Sequence, residues 1–272
     1  NRRCETLMIG IRMEQSLSTA FSRTLSQPVS LRSDPRHSQA PQPPELPMRK
    51  YDIMYLDQDG QLCETQRVAR AHPAYEHAFC VLKQGALVST PQGYMAVEDV
   101  LPGDKLRLDD GSYETVQWRG SIQMKPDTGT ESSPGAVLTR IAADAMGYNR
   151  PSPDLVLGYG ARILHRAAGI RRVSDSDRAF IPAADFVDGN NVLSLRPTAP
   201  FNVYQFGFAG QRGLMVNGVE VETLHPGTAF SLGIRGPALR AYLGLFPHMR
   251  SFEEFGLLDN PRLRLRDLEL LD

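Results

Sequence analysis

The chain has 272 residues, with 30 Lys and Arg against 31 Asp and Glu and a formal charge of −1. That length can hold one large domain or two small ones with a substantial core, and the near-neutral balance gives no general drive toward nucleic acid or an anionic membrane. No apolar run approaches the roughly 20 residues of a membrane helix, and the N-terminus has no charged-then-apolar signal layout.

Residues 1–47 are rich in Ser, Arg, Gln and Pro and end in a proline-studded run from His37 to Pro47 that cannot sustain helix or ladder hydrogen bonds, so they read as a disordered extension. Within it, Met8 to Leu25 carries scattered apolar positions and arginines with few acids, the pattern of a transient amphipathic helix or a targeting segment. Composition breaks sharply at Met48. Tyr51 to Leu56 alternates, Asp59-Gly60 is a hairpin turn, and Leu62 to Val68 returns as a second alternating run. Ala71 to Phe79, with Pro73 early, is a short helix or loop leading to Cys80.

From Cys80 to Leu108 short strands follow one another: Val81, Gly85 to Val88 and Met95 to Val97 are extended, with reversals at Pro91-Gln92-Gly93 and Pro102-Gly103-Asp104. Asp109-Asp110-Gly111 closes another hairpin, and Glu114 to Met124 is a strand with the sole tryptophan, Trp118, in a packing role. Lys125 to Gly135 is a loop. Then come a strand at Val137 to Ile141, a short helical stretch at Ala142 to Met146, a proline-bounded loop and a strand at Leu155 to Leu157. Gly158 and Gly160 make a tight turn, since a lone G-x-G without a capped helix is a weak nucleotide signal. Val192 to Leu195 is a strand, and Val203 to Val221 is two strands around Gly210 to Gly213, with Asn217-Gly218 a turn. Helically spaced apolar residues at Pro237 to Phe246 and Phe252 to Leu258 predict a small helical cap.

Cys4, Cys63 and Cys80 are odd in number and widely spaced, and His77, His165 and His225 have no metal-like spacing, so no metal or cofactor is implied. Free thiols in a reducing cytoplasmic compartment are the expectation, with secretion lacking a signal peptide as the alternative. The acids Glu98, Asp99 and Asp104 fall in a turn between strands, where carboxylates are ordinarily solvated.

Cys80 heads a G-x-L-V-x-T-P-x-G segment (Gly85 to Gly93) and a V-E-D-x-x-P-G-D-K-L segment (Val97 to Leu106). Val116, Trp118 and Gly120 follow as V-x-W-x-G, and Glu222 to Gly227 closes as E-T-L-H-P-G. Together these resemble the Hint domain, the module shared by hedgehog autoprocessing domains and inteins, in its bacterial branch. The resemblance implies a mainly β, Hint-like all-β fold of short strands and hairpins with a small C-terminal helical segment. Its Hint-like domain would cover 48–230, with a leading hairpin and linker at 48–79 and a Hint core at 80–230, followed by a helical tail at 231–272.

The resemblance also implies chemistry. The first cysteine of such a domain attacks the preceding carbonyl to form a thioester, which makes Cys80 the candidate nucleophile and Phe79–Cys80 the scissile bond. The family's T-x-x-H or S-x-x-H motif corresponds to Gly158-Tyr159-Gly160-Ala161, so Gly158 and Ala161 stand where the hydroxyl and the histidine belong. A positioned acid or base contributes about 10²- to 10⁴-fold, roughly 3 to 5 kcal/mol, and neither side chain has a proton to give. His165 is four residues further along an extended strand, about 13 Å away. The late-strand histidine of the bacterial branch corresponds to Gln211, which cannot shuttle protons. Thr90 and Arg162 are candidate supporting residues, the arginine as an ion-pair partner. No His-Asn ending is present for splicing. The expectation is a degenerate Hint domain acting as a binding or scaffold module toward a protein partner the sequence does not identify. The competing reading is an autoprocessing enzyme acting in cis on its own backbone.

Overall fold

The computed structural model describes residues 46–126, 137–228 and 230–269. The extension with its Met8 to Leu25 segment, Cys4 and most of the loop after Lys125 lie outside the described residues. Strands β1 (Met48–Leu56) and β2 (Leu62–Arg70) form the first hairpin, whose turn is fixed by Asp57 accepting the N–H groups of Asp59 and Gln61 at 2.9 and 2.8 Å. Helix α1 (Pro73–Phe79) starts with His72 as its N-cap, Nδ1 accepting from Ala74 N–H at 3.2 Å, and with Pro73 in the first turn, where a missing N–H costs nothing.

Strands β3 (Leu82–Lys83), β4 (Leu87–Thr90), β5 (Gly93–Ala96), β6 (Lys105–Arg107), β7 (Tyr113–Thr115) and β8 (Trp118–Met124) follow. Next are β9 (Leu138–Ile141), β10 (Leu155–Leu157), β11 (Arg162–Arg166), β12 (Arg178–Pro182) and β13 (Val192–Leu195). The last are β14 (Phe201–Gly207), β15 (Gly213–Val216), β16 (Val219–Glu222), and helices α2 (Gly236–Leu243) and α3 (Leu265–Glu269). The strands pair antiparallel in an eight-stranded sheet ordered β13-β9-β10-β3-β14-β8-β1-β2, a six-stranded sheet ordered β12-β11-β16-β15-β4-β5, and the β6-β7 ribbon. This is a mainly β fold of short antiparallel strands and hairpins, with three short α-helices among the described residues.

Three details correct the expectations. Glu114 to Met124 is two strands, because the backbone of Val116 bonds both Asp104 and Gly103 (2.9 Å each) and its side chain enters one core, whereas Trp118 enters the other. The chain changes sheet within two residues. Val203 to Val221 contains three strands, because Asn217 (φ 47°) and Gly218 (φ 85°) fold β15 back on β16; Asn217 Oδ1 also accepts Leu87 N–H at 2.7 Å. Ala142 to Met146 is a set of turns in which the Asp154 carboxylate takes the Ala143 N–H at 2.8 Å, a bond that competes with a helix.

Residues of the segment 231–269 pack against the strands. Tyr242, Leu245, Phe246 and Phe255 are buried against Phe79 and Trp118, and Trp118 donates its indole N–H to the Leu245 carbonyl at 3.1 Å. The segment 48–79 is equally embedded, since β1 pairs along its length with β2 and also with β8, and Phe79 is fully buried. Apolar side chains from both flanks thus complete the second, aromatic-rich core.

Candidate functional site

The site begins where α1 ends. The Cys80 N–H donates to the Glu76 carbonyl at 2.8 Å as the last bond of the helix, and the Val81 N–H turns back to the Phe79 carbonyl at 3.0 Å. With φ −87° and ψ 70°, Cys80 thus forms a γ-turn over the Phe79–Cys80 bond. Facing it is the turn between β10 and β11, Gly158 to Ala161, the segment expected to carry the family's acid-base motif. The Gly160 N–H donates to the Cys80 carbonyl at 2.9 Å and the Gly158 N–H to the Val81 carbonyl at 2.8 Å.

What the turn presents there is backbone. A Cβ on Gly158 would lie 2.3 Å from the Cys80 carbonyl oxygen and 2.7 Å from its Sγ, and a Cβ on Gly160 would lie 2.3 Å from the His77 carbonyl oxygen. Ala161, where the histidine belongs, is 1% exposed and packed in the first core. The thiol itself is fully buried. Burial pushes its pKa up to about 12, while the N–H groups of Tyr159 and Gly160 pull the other way with less effect. At pH 7 the sulfur is therefore held as the neutral thiol.

Gln211 and Arg162 meet at a carboxylate that sequence reasoning passed over. Glu222, 4% exposed at the end of β16, accepts from Gln211 Nε2, from Arg262 Nε at 2.8 and 3.1 Å, and from Arg162 Nη1 at 3.5 Å. Gln211 Oε1 takes the Asn260 N–H at 2.8 Å, and Arg262 Nη2 donates to the His225 carbonyl at 2.6 Å. Gln211 is thus a crosslink between β-domain and C-terminal segment. The strand Val-Glu-Val-Glu held a usable signal: two acids in an otherwise buried strand require cationic partners. Arg262, 40 residues further on, had no local signature.

Thr90 is not brought to the site. Its hydroxyl donates to the Gly93 carbonyl at 2.9 Å and accepts the Gln92 N–H at 3.1 Å, which closes the β4–β5 turn. Glu98 and Asp104 also serve turns, accepting from Gly85 and Leu101 N–H. His165 lies on β11 with its ring against Phe186, outside the cleft.

Beside the buried thiol opens a cleft of about 600 Å³, walled by α1, the Tyr159-Gly160 turn, the chain from Glu222 to Thr228, and Leu232, Leu258 and Arg262. His77 of α1 faces it, its ring edge-on to Tyr159 at 5.6 Å. Burial and then the Arg162 and Arg262 charges hold the His77 pKa down at about 4, and burial and then Arg262 also lower His225, partly offset by its bond to the Gly256 carbonyl. Away from the cleft, His248 lies over Trp118 at 6.2 Å with both ring nitrogens buried and unbonded, and burial lowers its pKa to about 4. His77 and His248 fold neutral, so protons go first to the unfolded chain as pH falls below its ordinary value of 6.5. Their stabilisation is complete above that value, declines toward pH 4 and is absent below it, at on the order of 3 kcal/mol each. Denaturant titrations from pH 7.5 to 4 should show this loss, and His248→Phe should flatten its own share; an unchanged acid limb in that variant refutes the assignment.

Among the described residues no cluster of three or more His, Cys, Asp and Glu is placed to hold a metal, and no helix is long and apolar enough to cross a membrane. No curated protein matches the chain. Among solved structures, a bacterial intein-like domain from Clostridium thermocellum, determined in solution, is similar at 13% identity with a TM-score of 0.38, over 54% of this chain and 99% of that one. The family model for the Hint domain matches residues 80–228, from the buried thiol to just past the closing Pro226-Gly227. The chain therefore belongs to the Hint domain family, a family of domains related to protein self-processing.

Proposed function

We propose that this Hint domain leaves the Phe79–Cys80 bond intact and works as a binding module through the cleft beside it. The observation that carries the reading is the contact between Gly158 and Cys80, which leaves no volume at that position for any side chain beside the thiol. Thioester formation requires Sγ to attack the Phe79 carbonyl carbon while the Cys80 nitrogen takes up a proton. Here that nitrogen is tied to Glu76, the thiol keeps its proton, and Ala161 is sealed in the core. A missing general acid accounts for about 10²- to 10⁴-fold, and a thiol held in its neutral form lowers the rate further.

The autoprocessing reading is favoured by one observation, the retention of a thiol on the family's active turn. Intact mass separates the two. The full chain and Cys80→Ala, held for days with and without dithiothreitol or hydroxylamine, should both remain whole, and Cys80 should resist alkylation until the protein is unfolded. A fragment ending at Phe79 that forms only when Cys80 is present would overturn the proposal.

A further inference from the structure

The cleft holds more positive charge than its own carboxylate neutralises. Arg162 and Arg262 both line it, and Glu222 is the acid between them. Arg262 and Gln211 already occupy that carboxylate, which leaves Arg162, among the described residues, with a single side-chain hydrogen bond at 3.5 Å, the outer limit of a hydrogen bond. A guanidinium has five N–H donors in a rigid fork, and this one, 21% exposed, lines the cleft. A cation this buried and this poorly paired is poised to take an oxyanion in the two-pronged manner guanidinium groups favour. His77, which also lines the cleft, has no side-chain hydrogen bond among the described residues and can donate a second N–H. Partly exposed apolar side chains, Ala74, Leu232 and Leu258, also line the cleft.

We infer that the cleft binds an amphipathic anion, a carboxylate or phosphate head on Arg162 and an apolar body against Ala74, Leu232 and Leu258. The volume, about 600 Å³, is that of small-molecule sites. The inference rests on the binding-module reading and gives that module a ligand class. Cys80, being fully buried, takes no part in binding.

Isothermal titration of the full chain with sodium octanoate, octyl phosphate, octanamide and octylamine tests it. Octanoate or octyl phosphate should bind with Kd on the order of 0.1–1 mM, and the tighter of the two identifies the preferred head. Octanamide, with the same body and no charge, should bind at least tenfold more weakly, and octylamine should give no saturable heat. Arg162→Gln should weaken the anion at least tenfold, with Arg162→Lys between it and the parent; thermal melts of each variant establish that it is folded. No saturable heat from either anion up to 20 mM, or equal binding of octanamide, overturns the inference without any variant. Intact mass of the same samples keeps the readings apart: a cut chain defeats the binding-module proposal, whereas an uncut chain that ignores both anions defeats only the ligand class.

Discussion

Gly158→Thr lowers the thermal midpoint by roughly 10 °C and does not cause cleavage at Phe79–Cys80, alone or with Ala161→His. These substitutions restore the residue types of the family's acid-base motif, and a purely chemical view expects them to rescue the reaction. The packing says otherwise. At Gly158 the first carbon of any side chain meets the Cys80 carbonyl at 2.3 Å, a backbone atom that cannot rotate away. Relief requires the β10–β11 turn to move off Cys80, which breaks the 2.9 and 2.8 Å bonds that hold it there. Overpacking against backbone costs on the order of 3 kcal/mol or more, and a domain of this size loses about 2–4 °C per kcal/mol. The imidazole at Ala161 would enter a packed apolar core and lack a partner, adding to the loss. Scanning calorimetry and intact mass read both outcomes. A variant that melts with the parent, or that cleaves itself, would show the turn to be freer than its contacts require.

Glu222→Ala removes about 3 kcal/mol of stability and exposes the C-terminal segment to protease. The carboxylate is 4% exposed and joins Gln211, Arg262 and Arg162, so its loss leaves two guanidiniums facing each other and a buried amide unsatisfied. Breaking a buried pair from one side costs about 3–5 kcal/mol, and the lower end applies because Arg162 and Arg262 keep roughly a fifth of their surface in solvent. The exposed pair Arg171–Asp177, with side chains 70% and 56% exposed, is the control, and Arg171→Ala should change stability little. Urea denaturation and limited trypsin digestion followed by mass measurement test the pair. Equal stability losses in Glu222→Ala and Arg171→Ala would mean the hub has no special weight.

Much of the architecture was legible because local chemistry and tertiary role coincide. Asp59-Gly60 and Asp110-Gly111 place their glycines at φ 73° and 85°, so a two-residue signal fixed each hairpin. The change of sheet at Val116 was not legible, since both halves of Glu114 to Met124 alternate and only their partners differ. In the C-terminal region, apolar spacing found α2, but after it Phe252–Phe255 makes one 3-10 turn before Gly256 leaves at φ 78°. For the site, motif resemblance led to Cys80 and to the turn that faces it. It could not reveal that the turn touches the sulfur through its backbone, because closeness of approach is written in no single residue. Arg262 was invisible for a related reason: an arginine far down the chain reads as solvated until its carboxylate is found.

The placement of β1 between β2 and β8 has a practical consequence for anyone looking for scission. Were the chain ever nicked ahead of the thiol, the upstream piece would remain clasped in the sheet with its terminal phenylalanine sunk among aromatic rings. The nicked material would travel as one particle through a sizing column. Only denaturing separation or mass measurement could tell it from the unbroken polypeptide, and nothing would be shed into solution.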